Sequence, residues 1–174
     1  MRAALVEGRQ TILIRKGGVA ETGGAGEFHL EHPEFWIYPT FLHEGEQGLK
    51  IDASEDRHKS PAGTVWMNAL ARVATATWIA REETLEALEP YHVLTSDTLK
   101  KRFYYRRPGL WILTARVWRA APGFTIPIRP RDAGCKTWIT LDQPLPTADL
   151  TPALDDPAWS RTTLDLERLL SENE

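Results

Sequence analysis

Residues 100–107, Lys100-Lys-Arg-Phe-Tyr-Tyr-Arg-Arg107, interleave cations with aromatic rings. Cations at this density can neutralise phosphates and release their counterions. The rings, and the planar guanidinium of arginine, can stack on exposed bases. The same segment has a plainer reading, in which Phe103 and Tyr105 are core and the cations solvate a helix end and the turn after it. The surroundings weigh toward binding. From Thr98 to Arg131 there is no Asp or Glu, and nine basic residues fall there: Lys100, Lys101, Arg102, Arg106, Arg107, Arg116, Arg119, Arg129 and Arg131. With a net charge of −3 and +9 in this stretch, the rest of the chain carries −12. Such segregation bears on partners rather than on fold.

A second cationic site is Arg15-Lys16-Gly17-Gly18. A strand ending in two cations and two glycines leaves backbone amides beside positive charge, which can cradle a phosphate. The alternative is an ordinary hairpin turn. The Gly-x-x-x-x-Gly-Lys-Ser/Thr spacing is absent, so ATP binding is not expected. The expected nucleic-acid face comprises Arg15, Lys16, Lys100, Lys101, Arg102, Tyr104, Arg106, Arg107 and Arg116.

Histidines are the weaker chemical candidates. His29, His32 and His43 stand among Glu27, Glu31, Glu34, Glu44 and Glu46, a mixture that can hold a divalent metal or move protons. Their spacing is not the helical His-Glu-x-x-His of the zincins. His32 and His43 are therefore catalytic or metal candidates only under a hydrolase reading, and no cofactor is expected otherwise. Cys135, between Gly134 and Lys136, reads as a small buried side chain rather than a nucleophile. Trp118 and Trp138 could line a pocket, although most of the seven tryptophans read as core.

These groups need a scaffold, and 174 residues suit one core-forming domain. At 42% hydrophobic the chain is not disordered as a whole. No apolar run reaches the roughly 20 residues of a membrane span, and the start is too soon charged for a secretory signal. One cysteine permits no internal disulfide and favours a reducing compartment, so a cytoplasmic location is expected.

Apolar alternation between turn residues places strands at 11–15, 35–41, 73–79, 110–118 and 136–141. In the ambiguous 65–79 stretch, only the second half is read as strand. Pro39 belongs at an edge, a bulge or a strand's end. Helices are expected near 3–8, 81–88 and 96–103, the last capped by Thr95 or Ser96. Tyr91–Leu94 reads as a short strand, and Pro122-Gly123 as a turn. A domain over 1–146 is followed by a linker and C-terminal helix over 147–174, with Leu164, Leu166, Leu169 and Leu170 as its apolar stripe. The expected class is α+β, with a mixed or mostly antiparallel sheet that can curl into a small barrel.

Taken in order, several segments resemble the bacterial family catalogued as domain of unknown function 1802. They are Gly8-Arg-Gln-Thr-Ile-Leu-Ile-Arg-Lys-Gly-Gly-Val19, His32 with Phe35-Trp-Ile-Tyr-Pro-Thr40 and His43, Tyr91-His-Val-Leu-Thr95, Arg102-Phe-Tyr104, Leu110–Arg119 and Gly134-Cys-Lys-Thr-Trp-Ile139. The resemblance covers roughly 5–141. It implies no established activity, only an association with restriction-endonuclease-type proteins and so a place beside DNA restriction. More loosely, the opening is similar to PUA-like and ASCH-like modules, small barrels that bind RNA or unusual bases. Three functions follow as alternatives: a DNA- or RNA-binding module, a metal-dependent nuclease or other phosphoester hydrolase, and a protein-interaction module whose acidic remainder docks a basic partner. No membrane partner is expected.

Overall fold

Two long strands organise the molecule in the computed structural model, which describes residues 1–16, 30–39, 48–51, 60–132 and 137–171. Strand β3 (Thr64–Ile79) and strand β4 (Leu110–Pro127) pair antiparallel from Thr64↔Pro127 to Ile79↔Leu110. β1 (Ile12–Arg15) lies on the other side of β4, opposite Trp111–Thr114. β5 (Thr151–Pro152) continues along that side, opposite Trp118 and Arg119. β2 (Glu34–Trp36) pairs with β3. The order β1-β4-β3-β2 is antiparallel throughout and does not close, so the barrel is corrected to an open sheet.

The sheet is covered on both faces. On one side Ile12, Ile79, Leu110 and Ile112 pack with Leu85, Leu88, Leu94, Leu99 and Phe103. These come from α2 (Thr84–Ala87), the chain after it, and α3 (Ser96–Tyr104). Leu166 and Leu170 of α4 (Asp156–Ser171) join the same cluster. On the other side Leu13, Ala69, Ala71, Leu113, Ala115 and Val117 pack on Leu5 and Val6 of α1 (Arg2–Val6). This accounts for the first half of β3, which is strand although its alanines favour helix. Ala69 and Ala71 are fully buried where a short helix packs close, and tertiary packing overrides propensity there.

Other expectations are corrected. Pro122-Gly123 does not turn the chain. β4 runs on to Pro127, and the extra residues bulge opposite the shift between Met67 and Ala69. Residues 91–94 are not a strand. A 3₁₀ turn (Glu89–Tyr91) carries Pro90, and the Leu94 amide donates to His92 Nδ1 rather than to a ladder. Residues 137–141 form no strand either; the Thr140 carbonyl accepts from Arg129 Nη2. Edge strand β2 ends at Trp36, so the strand expected over 35–41 is shorter than read, and Pro39 lies three residues past its end; Thr40 and Phe41 are outside the described residues. On α4, Leu166 and Leu170 are buried four residues apart, but Leu164 is 62% exposed, so the stripe is narrower than expected.

α3 begins as the sequence indicates. Thr95 is extended, and its hydroxyl oxygen accepts from the Thr98 amide at 3.4 Å. That bond is long, so Thr95→Ala should cost only about 0.5–1 kcal/mol, measured by denaturant unfolding.

Candidate anion site between the sheet edges

β1 ends in Arg15, and Lys16 leaves the strand toward the C-terminus of α3. The last carbonyls of a helix lack intrahelical donors. The Lys16 ammonium supplies them: Nζ donates to the carbonyls of Phe103 at 2.5 Å, Gly109 at 2.7 Å, and Arg107. All three of its protons are thereby used. Burial and the nearby Arg107 charge lower its pKa. Lys16 is thus a clamp between β1 and α3, with its charge spent on main chain.

The clamp brings Arg15 beside Arg102 in the last turn of α3. Burial, and then the charge of Arg102, lower the Arg15 pKa; burial lowers that of Arg102. Neither has a carboxylate within ion-pair distance among the described residues. Withdrawing a cation from water without a partner is costly. Two such cations lining one cavity form a site that an anion would relieve.

The remaining cations of the expected face divide. Arg106 has φ 64, and its guanidinium carbon lies 5.2 Å from the centre of the Tyr105 ring. Arg107 lies 4.9 Å from the Trp78 ring. Neither they nor Lys101 pair with a carboxylate among the described residues. Lys100 is 3.2 Å from Glu82, which also accepts the Tyr104 hydroxyl. Arg116 pairs with Asp156 at the start of α4 and packs on Trp118 and Trp159. It stands five residues along β4 from Trp111, the partner of Arg15. That is roughly 16 Å away at about 3.3 Å per residue, and on the other face of the strand. Arg129 and Arg131 are tied to Asp132 and Asp142. Phe103 is core as the plainer reading held, but Tyr105 is 57% exposed.

Arg15 and Arg102 line a cavity of about 630 Å³. Both edge strands, β1 and β2, border it. β1 contributes Leu13 and Ile14, β2 contributes Glu34, Phe35 and Trp36, and residues 137–141 form a further wall. Arg2 borders it too, held by a 2.6 Å hydrogen bond to Asn68 and stacked over Trp66. His32 and Trp138 meet edge to face in this wall, with centroids 5.0 Å apart, and Phe35 meets Trp138 in the same way. Three wall residues carry buried polar atoms without a hydrogen-bond partner among the described residues: Gln10 Oε1, Tyr38 OH and Trp138 Nε1. Gln10 and Tyr38 lie inside segments that carry the family resemblance, but nothing in their residue types marked either as a site residue.

The metal expectation has less geometry behind it. His32 is half-exposed and 3.7 Å from Glu31. His29 and His43 lie outside the described residues, as do Gly17, Gly18 and Cys135. Among the described residues no group of three His, Cys, Asp or Glu could hold a metal ion. Nor is any described helix long and apolar enough to cross a membrane.

No curated protein and no solved structure matches the chain, and the likeness to PUA-like and ASCH-like modules finds no counterpart there. A family model does match, over residues 2–164, reaching from α1 into α4 and so past the segments that first suggested it. The chain belongs to the family described as domain of unknown function DUF1802.

Proposed function

We propose that the protein binds nucleic acid with unpaired bases, using the ground between the end of β1 and the end of α3. The observation that carries this reading is the pair Arg15 and Arg102, partly withdrawn from water and without a carboxylate partner among the described residues. Arg106 and Arg107 extend the positive ground beyond the helix end, and the exposed Tyr105 ring beside Arg106 offers a stacking surface. Four further basic residues of the acid-free stretch, Lys100, Arg116, Arg129 and Arg131, are largely neutralised by Glu82, Asp156, Asp132 and Asp142. The family resemblance adds a place beside DNA restriction, which would make DNA the polymer.

The test is fluorescence polarisation of labelled single-stranded DNA and RNA at several salt concentrations. Arg106→Ala/Arg107→Ala should bind on the order of tenfold more weakly at low salt. Its plot of log K against log salt should flatten by about 1.4, at about 0.7 per phosphate contact on a single strand. A double variant with the parent's affinity and slope would sink the proposal.

A further inference from the structure

We infer that the cavity between the two sheet edges receives the base of one nucleotide, whose phosphate rests on Arg15 and Arg102. This deepens the nucleic-acid reading and rests on it. The space, about 630 Å³, is within the roughly 300–1,000 Å³ of small-molecule sites. Its arginines can take an oxyanion bidentately. Its aromatic side chains, Phe35, Trp36 and Trp138, suit a planar ring.

The unpartnered atoms narrow the ligand further. Gln10 is 3% exposed, and its amide nitrogen donates to the Ile12 carbonyl at 3.0 Å. That bond fixes which end of the side chain is left over: Oε1, an acceptor without a donor. Trp138 Nε1 is a donor without an acceptor, and Tyr38 OH can serve as either. Buried polar atoms left unpaired are costly. All three are shut off from water as the side chains stand, so a ligand meets them only once those side chains turn toward the cavity.

A ligand that satisfies such a set presents donors and acceptors on the edge of an apolar plane, as every nucleobase does. Inorganic phosphate would use the arginines and leave the neutral groups unmet. A fatty acid would fill the space and also leave them unmet. Glu34 is the one carboxylate in the wall among the described residues, and Arg72 holds it at 2.6 and 2.9 Å, which lessens its repulsion of an anion.

The experiment is calorimetric titration of the full chain with each nucleoside 5′-monophosphate, with inorganic phosphate, and with a single-stranded oligonucleotide. At least one monophosphate should bind about tenfold or more tightly than inorganic phosphate. Trp138→Phe keeps an aromatic ring, smaller than the indole, and removes the donor. It should weaken that monophosphate on the order of tenfold, as expected for one lost hydrogen bond, and leave inorganic phosphate unchanged. Arg102→Ala should weaken both. Gln10→Leu is a second probe, and circular dichroism checks that each variant is folded. If no monophosphate exceeds inorganic phosphate, or if Trp138→Phe binds every monophosphate like the parent, the base pocket is overturned. Oligonucleotide binding that persists in that case leaves the nucleic-acid reading standing. Monophosphate binding without oligonucleotide binding supports the pocket and removes the polymer.

Discussion

Lys16→Met should lower the melting temperature by roughly 4–12 °C and weaken anion binding at Arg15 and Arg102 in the same protein. The substitution keeps the apolar stem and removes only the ammonium. Three carbonyls, of Phe103, Arg107 and Gly109, lose their donor at once. Hydrogen bonds to charged groups contribute roughly 1.5–3 kcal/mol each. The group is partly exposed, however, and water replaces some of what is lost, so the sum is nearer 2–3 kcal/mol than the full total. A domain of this size shifts by roughly 2–4 °C per kcal/mol. The binding effect follows from position. Arg15 precedes Lys16, and Arg102 precedes Phe103, so the clamp ties together the two backbone segments whose guanidiniums line one cavity. Lys101→Met, an exposed neighbour on α3, is the control and should change stability by about 0.5 kcal/mol or less. If Lys16→Met melts with the parent, water already serves those carbonyls and the clamp is decorative.

The case of Lys16 shows what the sequence could and could not convey. Charge and spacing were enough to single out Arg15, Lys16, Arg102, Arg106 and Arg107, which do come together at the ends of β1 and α3. The roles within that group were not legible. Lys16 and Arg15 are adjacent cations, yet one is spent on main-chain carbonyls and the other has no counter-ion among the described residues, and only the third dimension separates them. Arg116 belongs to the same acid-free stretch, but Asp156, forty positions away, neutralises it. The fold was legible where a local rule decides, as in the Thr95 cap and the alternation from Leu110 to Trp118. It was not legible where distant packing decides. Ala69 and Ala71 are strand because α1 covers them, and Thr137–Leu141 is irregular where it walls a cavity instead of joining the sheet. Gln10 and Tyr38 became candidates only once their unpaired atoms could be seen beside that cavity.

His92 should make the fold sensitive to mild acid. It is 3% exposed, and its Nδ1 accepts the Leu94 amide at 3.1 Å, so the single proton sits on Nε2, which has no partner among the described residues. Burial first, and then the charge of Lys50, lower its pKa to about 4, with Glu89 opposing. In the unfolded chain it returns to about 6.5. Between those values the unfolded state binds a proton that the folded state refuses, so folding loses stability as pH falls. Its full contribution is present above pH 6.5 and is gone once pH has fallen through about 4. A difference of about 2.5 units at about 1.36 kcal/mol each amounts to roughly 3 kcal/mol. Carboxylates add their own acid sensitivity, Asp132 and Asp142 among them, because hydrogen bonds from Arg129 hold both below the usual range. The measurement is therefore a double difference. His92→Asn removes the titration and keeps a side-chain oxygen to accept the Leu94 amide. Denaturant unfolding at pH 7.5 and pH 4 should show the parent losing roughly 3 kcal/mol more than the variant. The same loss in both proteins would mean that His92 is protonated within the fold, with Nε2 finding an acceptor and the burial around it giving way.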